Sequence, residues 1–129
     1  MISKRILLVE DDADVRDACA AVLEDGAYTV VAVDDGIVAL EEIERRRPDV
    51  ILLDLIMPRA RLDGLALLSK LAAGPRIPII VLSGLGNALK EGLSPELTAA
   101  LSIAAILSKP FAVEALSREI DRVDGAEVG

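Results

Sequence analysis

Reactive side chains follow four of the five short apolar runs in this 129-residue sequence. They are Glu10, Asp11 and Asp12 after the first run, Asp54 after the third, Ser83 after the fourth and Lys109 just beyond the fifth. Carboxylates gathered around one point repel each other unless a cation joins them, and oxygen ligands without thiolate or imidazole favour a hard ion. If the fold brings these run ends together, the acids predict a Mg²⁺ site that the Lys109 ammonium faces.

The apolar runs predict the strands that must position these residues, at 6–9, 28–33, 50–53, 79–82 and 104–107. Three of the runs are continuous in Ile, Leu and Val, which is typical of parallel strands covered on both faces. Helical patterns fill the intervals and the C-terminal segment, at 14–25, 36–47, 63–73, from Ser94 onward and at 112–123. In the first of them one buried stripe is expected to hold Val15, Cys19, Val22 and Leu23. Five alternations of strand and helix predict one α/β domain with right-handed crossovers. In such sheets ligands bind outside the carboxyl ends of the strands.

Each reactive residue taken alone also has a structural interpretation. Asp12 or Asp14 can cap a helix that begins there, and Ser83 can be an ordinary strand-end hydroxyl. A lone lysine is usually a solvated charge. Asp54 is harder to explain in this way, because an acid directly after a buried strand loses hydration without stabilising a core. Reactive groups at four strand ends of one sheet together favour a functional site.

The composition excludes several function classes. With 22 acidic and 14 basic residues the net charge is −8, which argues against a nucleic-acid surface. The absence of His removes His-based zinc sites and Ser-His-Asp triads. Cys19 has no partner for an internal disulfide and is interpreted as a small buried apolar residue. No apolar stretch is long enough to span a membrane and no signal-peptide core is present, so we expect a cytoplasmic protein.

Five segments form a recognisable ordered set. They are Leu8-Val9-Glu10-Asp11-Asp12, Leu52-Leu53-Asp54-Leu55-Ile56-Met57-Pro58, Asp63-Gly64, Pro78-Ile79-Ile80-Val81-Leu82-Ser83-Gly84 and Ser108-Lys109-Pro110-Phe111. The set resembles the receiver domain of bacterial response regulators. The resemblance implies a flavodoxin-like (βα)5 fold, a doubly wound parallel sheet ordered 2-1-3-4-5 in three α/β/α layers. We expect a receiver domain at 1–123, a short frayed tail at 124–129 and no output domain.

The resemblance assigns a role to each residue at the strand ends. Asp54 is similar to the family's phosphoacceptor, whose carboxylate takes a phosphoryl group from a histidine kinase or a histidine phosphotransfer protein. The other implied roles are Mg²⁺ binding for Glu10, Asp11, Asp54 and the Ile56 backbone carbonyl, contact with phosphoryl oxygens for Lys109 and Ser83, and a cis peptide bond at Lys109-Pro110. The protein is then not a conventional enzyme, although it catalyses its own phosphorylation and dephosphorylation.

The sequence departs from the family pattern in three places. The loop between Pro58 and Gly64 is longer than usual and carries Arg59 and Arg61, which we interpret as solvated rather than as contacts for phosphoryl groups or for a partner's acids. The switch position, where the family has an aromatic ring, holds Ile106. The segment from 83 to 109 is also longer than usual, which favours an unusual downstream partner at the 83–123 face.

Alternative functions follow from these departures and from other motifs. A receiver-like module that binds partners without phosphorylation stays open, because Ile106 and the altered loops weaken the switch. A haloacid dehalogenase-type hydrolase is disfavoured, since position 56 is Ile rather than a second acid. A dinucleotide site at Gly84-x-Gly86 is disfavoured because the third fingerprint position is Leu89. The oligomeric expectation is a monomer or a phosphorylation-dependent homodimer.

Two apolar positions beside the site predict slow self-dephosphorylation. They are Ile56, two residues after Asp54, and Leu85, two residues after Ser83. In the family, polar side chains at these positions help to place the attacking water. Apolar side chains should place the water poorly, so we expect a long-lived phosphoryl group.

Overall fold

The computed structural model describes residues 4–26, 28–74, 76–84, 92 and 94–128. The strands are β1 (Lys4–Val9), β2 (Tyr28–Val33), β3 (Val50–Asp54), β4 (Ile79–Ser83) and β5 (Ile103–Ser108). The helices among the described residues are α1 (Ala13–Asp25), α2 (Gly36–Arg45), α3 (Gly64–Ala72), α4 (Pro95–Ala100) and α5 (Val113–Val128). All five predicted strands are present, so the predicted alternation of strand and helix is confirmed.

The strands form one parallel sheet in the order β2-β1-β3-β4-β5. This is the flavodoxin-like order that the resemblance implied. β1 lies between β2 and β3, and Val9 pairs with Leu53 in register. Asp54 in turn pairs with Leu82, and Ser83 with Ser108. The last residues of four adjacent strands therefore end at the same edge of the sheet.

Two apolar cores cover the two faces of the sheet, which confirms the three layers. One contains Leu7, Ile51 and Val81 of the sheet together with residues of α2 and α3. The other contains Leu8 and Leu82 with residues of α1 and α5. Every residue of β3 and β4 is buried, because side chains that alternate between the faces enter a core on either side. This double burial explains the continuous apolar runs.

The first helix matches its prediction in most details. Asp12 caps α1, and its carboxylate accepts hydrogen bonds from the backbone N–H groups of Asp14 and Val15. Cys19 is buried, as predicted, and burial raises the pKa of its thiol. Val22 was expected on the same buried stripe but is 38% exposed, because it lies at the flank of the face that Cys19 and Leu23 bury.

Two helix ends lie two or more residues from the prediction. α2 ends at Arg45 rather than at residue 47, with Arg46 extended at its end. α5 continues to Val128, so the backbone of 124–128, expected to fray, is helical. Once a helix is nucleated each further residue adds a hydrogen bond, and no proline interrupts this stretch. Among the described residues no helix is long and apolar enough to cross a membrane.

Candidate functional site

Three carboxylates meet where β1 and β3 end. Glu10 and Asp11 follow β1, Asp54 is the last residue of β3, and one oxygen of each lies within 4.8 Å of the others. Glu10 and Asp54 are buried, while Asp11 is half-buried. The pairing of β1 with β3 places the acids side by side, as the sequence predicted. We call these three residues the acidic cluster.

A glycine allows α3 to approach the end of β3. The Gly64 backbone lies so close that an added Cβ would stand 1.9 Å from the Asp54 carbonyl oxygen and 2.5 Å from the Leu55 Cα. The N–H of Leu65 also donates to the Leu55 carbonyl, at 3.2 Å. Asp63 caps the helix by accepting a hydrogen bond from the Ala66 N–H. The Asp63-Gly64 motif therefore fixes the backbone on the C-terminal side of Asp54.

Lys109 reaches the acidic cluster from β5. Its Nζ lies 2.6 Å from Glu10 Oε1 and 3.4 Å from Asp54 Oδ2. The Lys109 N–H donates to the Ser83 carbonyl at 2.8 Å, which ties the end of β5 to the end of β4. The Lys109-Pro110 peptide bond is cis, as the resemblance implied. Ser83 is buried at the last position of β4, so it lies at the edge of the sheet where the acids end.

The acidic cluster holds more negative charge than the Lys109 ammonium neutralises. Burial, the hydrogen bond shared with Glu10 and the Glu10 charge raise the pKa of Asp54 to about 7, and Lys109 and the Ile56 N–H offset only part of this. Burial alone would lower the pKa of Lys109, but the carboxylates of Glu10 and Asp54 more than offset that effect and raise it. A further cation would stabilise the ionised form of the cluster.

The ligand set fits a hard divalent cation. Asp11 Oδ2 is buried and accepts no hydrogen bond, which is costly for a carboxylate oxygen unless a cation approaches it. All three side chains offer oxygen, the ligand type that Mg²⁺ prefers. An open cavity of about 480 Å³ adjoins them. It is lined by Glu10, Asp11, Asp12, Asp54, Ile56, Pro58, Arg59, Gly84 and Lys109.

The enlarged loop after β3 is held by a carboxylate that sequence reasoning missed. Asp35, which caps α2, is buried and accepts hydrogen bonds from the backbone N–H groups of Arg61 at 2.7 Å and Leu62 at 3.4 Å. The Gly36 N–H donates to the Leu62 carbonyl at 2.8 Å, and an added Cβ at Gly36 would lie 2.6 Å from that oxygen. The Asp-Gly pair before a helix signals a cap, but nothing local signals the contact with a loop 26 residues away.

Both arginines of this loop are exposed, as predicted, yet each has a carboxylate partner. Arg61 Nε lies 3.4 Å from Asp35 Oδ2. Arg59 Nε lies 3.9 Å from Asp11 Oδ2, and Arg59 Nη2 donates to the Asp11 carbonyl at 3.3 Å. Their exposure confirms the interpretation of Arg59 and Arg61 as solvated, and the two ion pairs add to it. The lengthened loop brings a second cation to the acidic cluster.

Ile106 lies in β5 and is half-buried against the core on the α2 and α3 side. The sequence has one Tyr, one Phe and no Trp, and Tyr28 and Phe111 both pack on the opposite face of the sheet. No aromatic ring therefore accompanies Ile106.

Residues 85–91 and 93, which include Leu85, Gly86 and Leu89, lie outside the described residues, as does the side chain of Val113.

Comparisons with known proteins agree with this fold. A sequence model described as the response regulator receiver domain matches residues 6–121. The response regulator MprA of Mycobacterium ulcerans (strain Agy99) is 42% identical over 118 residues, which cover 89% of this chain and 47% of that protein. The crystal structure of the receiver domain of NtrX from Brucella abortus has a TM-score of 0.77 and 32% identity, covering 91% of this chain and 95% of that one. The chemotaxis response regulator CheY4 of Vibrio cholerae has a TM-score of 0.80 and 26% identity, covering 95% and 99%.

The chain belongs to the response regulator receiver domain family. Its membership is consistent with two-component signalling, and receiver domains typically bind Mg²⁺. The chain spans about half the length of the curated MprA relatives that it matches.

Proposed function

We propose that this receiver is a phosphorylation switch whose phosphoacceptor is Asp54. The observation that carries the proposal is the position of the Asp54 carboxylate, buried at the end of β3 between the other two acids and the Lys109 ammonium. Burial and the neighbouring Glu10 also raise the pKa of Asp54 to about 7, and perturbed pKa values of this kind cluster at functional sites.

The proposed reaction transfers a phosphoryl group from a phosphohistidine of a kinase or a histidine phosphotransfer protein. A carboxylate oxygen of Asp54 attacks phosphorus, the P–N bond to the donor histidine breaks, and the imidazole leaves with the electron pair and takes up a proton. The product is an aspartyl phosphate on this chain and an unmodified histidine on the partner. The attack requires ionised Asp54, which the Lys109 ammonium favours at 3.4 Å.

Neighbouring residues act on charge and position during this transfer. Glu10, Asp11, Asp54 and the Ile56 carbonyl would hold a Mg²⁺ ion, which when bound neutralises the phosphoryl oxygens near the acids. Lys109 pairs with a phosphoryl oxygen by releasing part of its contact with Glu10. Ser83 donates its hydroxyl to another phosphoryl oxygen, which couples phosphorylation to the end of β4.

An apolar cavity beside the site supports docking of the phosphoryl donor there. Its volume is about 500 Å³, and it lies between the start of α1 and the turn after β5. Its lining consists of Asp14, Val15, Ala18, Cys19, Lys109, Pro110 and Phe111. Because Lys109 borders both this cavity and the acidic cluster, a donor seated there brings its histidine close to Asp54.

The downstream protein is proposed to bind the 83–123 face.

Phosphorylation by a small donor tests the proposal without a partner. The purified chain is incubated with acetyl phosphate and Mg²⁺, and its intact mass is measured beside Asp54→Asn and the control Asp14→Asn. Asp14 is an exposed acid in the first turn of α1, so its change removes the same charge outside the cluster. We expect a phosphoryl increment in the wild type and Asp14→Asn, and none in Asp54→Asn or with EDTA. No increment in the folded wild type would favour the phosphorylation-independent binding module instead.

A further inference from the structure

Arg59 places a guanidinium on the side of the acidic cluster that Lys109 does not reach. Lys109 contacts Glu10 and Asp54, whereas among the described residues the cation paired with Asp11 is Arg59. The two cations thus divide the three carboxylates between them. Arg59 also lines the cavity that adjoins the cluster.

The loop that carries Arg59 is anchored rather than loose. Asp35 accepts two backbone hydrogen bonds from the loop, and the Gly36 N–H donates a third contact to its Leu62 carbonyl. On the near side, the Ala60 N–H donates to the Met57 carbonyl at 3.1 Å. Because the loop is anchored on both sides, the Arg59 side chain stays within reach of Asp11, and the effective concentration of the guanidinium beside Asp11 is high.

The contact between Arg59 and Asp11 leaves one oxygen of the Asp11 carboxylate without a hydrogen bond. The guanidinium donates to the Asp11 backbone carbonyl, but its Nε stays 3.9 Å from Oδ2, and that buried oxygen accepts no hydrogen bond. Arg59 therefore supplies charge to Asp11 without occupying its ligand position. A divalent cation that binds Oδ2 would come close to the guanidinium and be repelled by it.

We propose that Arg59 is a tethered cation that neutralises Asp11 in the metal-free protein and competes with Mg²⁺ for it. Arg59 is thus a positioning residue that lowers the affinity of the acidic cluster for divalent cations and stabilises the cluster when it holds none. This inference rests on the proposed Mg²⁺ site. It predicts that the enlarged loop raises the Mg²⁺ concentration at which the site fills.

Divalent binding to the full chain tests the inference directly. Mn²⁺ is titrated in place of Mg²⁺, and the EPR signal of the free ion gives the bound fraction without any phosphorylation. The variants are Arg59→Gln, Arg59→Lys and the matched control Arg61→Gln, which removes one charge from the same loop where the side chain faces Asp35. At low ionic strength Arg59→Gln should bind about three- to tenfold more tightly than the wild type, and salt should shrink the difference. Arg59→Lys should stay close to the wild type, and Arg61→Gln within about twofold.

Thermal unfolding supplies a second readout that a purely structural role would not produce. In EDTA, Arg59→Gln should melt below Arg61→Gln, because its acidic cluster has lost a compensating charge. Saturating Mg²⁺ should remove that difference, because the ion then supplies the charge. A merely structural Arg59 would leave the difference unchanged by Mg²⁺.

The outcomes separate this inference from the proposed function. Tight Mn²⁺ binding that is the same in Arg59→Gln and Arg61→Gln would overturn the inference and leave the metal site intact. Weaker binding in Arg59→Gln would also overturn it, because Arg59 would then support the ion. Absence of Mn²⁺ binding in the folded wild type would overturn the metal site and the inference together.

Discussion

Asp35, just beyond β2, and Asp54, the last residue of β3, are both buried, yet their surroundings shift their pKa values in opposite directions. Burial alone would raise the pKa of Asp35, but three backbone N–H groups and the Arg61 side chain more than offset this and lower it. Asp54 receives one backbone N–H at 3.3 Å and shares its space with Glu10, and its pKa is raised to about 7. The comparison teaches that donors from Ile37, Arg61 and Leu62 outweigh burial at Asp35, whereas burial and the neighbouring acid Glu10 prevail at Asp54.

The largest expected effect comes from removing the cation that supports Asp54. Lys109→Gln leaves the carboxylates of Glu10 and Asp54 buried without their shared ion pair. We expect a loss of about 3 kcal/mol in the free energy of unfolding near neutral pH without divalent ions, by analogy with other broken buried pairs. Urea unfolding measures it, with Lys70→Gln on α3 as an exposed control. Equal stability of the two variants would show that Lys109 does not compensate the cluster.

A smaller loss is expected when Asp35 can no longer accept its hydrogen bonds. Asp35→Ala removes the cap of α2 and leaves the N–H groups of Arg61 and Leu62 without their acceptor. The free energy of unfolding should fall by about 2 kcal/mol. The exposed neighbour Asp34→Ala is the control and should change little. Because the folded pKa of Asp35 is lowered, its contribution is present above the ordinary aspartate pKa and is lost as pH falls through the folded value.

The opposite sign is expected for Asp54. Its folded pKa of about 7 lies above the unfolded value, so ionisation destabilises the metal-free fold increasingly as pH rises from about 4 to about 7. Asp54→Asn should therefore raise the free energy of unfolding by about 1–2 kcal/mol near pH 8 and change it little near pH 4. Mg²⁺ should reduce the gain. If Asp54→Asn is less stable than the wild type at every pH, Asp54 is a structural carboxylate like Asp35, which would contradict the prediction.

The smallest effect concerns the lifetime of the phosphoryl group rather than stability. Ile56 is 51% exposed and lines the cavity that adjoins the acidic cluster, where a polar side chain can hold the attacking water. Ile56→Asn should shorten the lifetime of the phosphorylated protein about three- to tenfold, which is within the range of general acid–base assistance. Intact mass followed over time after removal of the donor measures it. Ile37→Asn changes an exposed isoleucine on α2 and serves as the control; an equal effect of both variants would contradict the role of Ile56.

The comparison also shows what the sequence could predict. The convergence of Glu10, Asp11, Asp54 and Lys109 follows from strand ends alone, because parallel strands deliver their last residues to one edge. The contacts of Asp35 with 61–62 and of Arg59 with Asp11 depend on the path of an enlarged loop, which no local period encodes. The same holds for Val22, since a helical stripe fixes which residues share a face but not how wide the covered face is.

Identification of the phosphorylated residue tests the central claim most directly. The chain is treated with acetyl phosphate and Mg²⁺ and then reduced with borohydride, which converts an aspartyl phosphate to homoserine, and the modified peptide is sequenced by tandem mass spectrometry. The account predicts homoserine at position 54 alone, dependent on Mg²⁺. Homoserine at Asp11 or another acid, or a borohydride-resistant phosphate on Ser83, would contradict it.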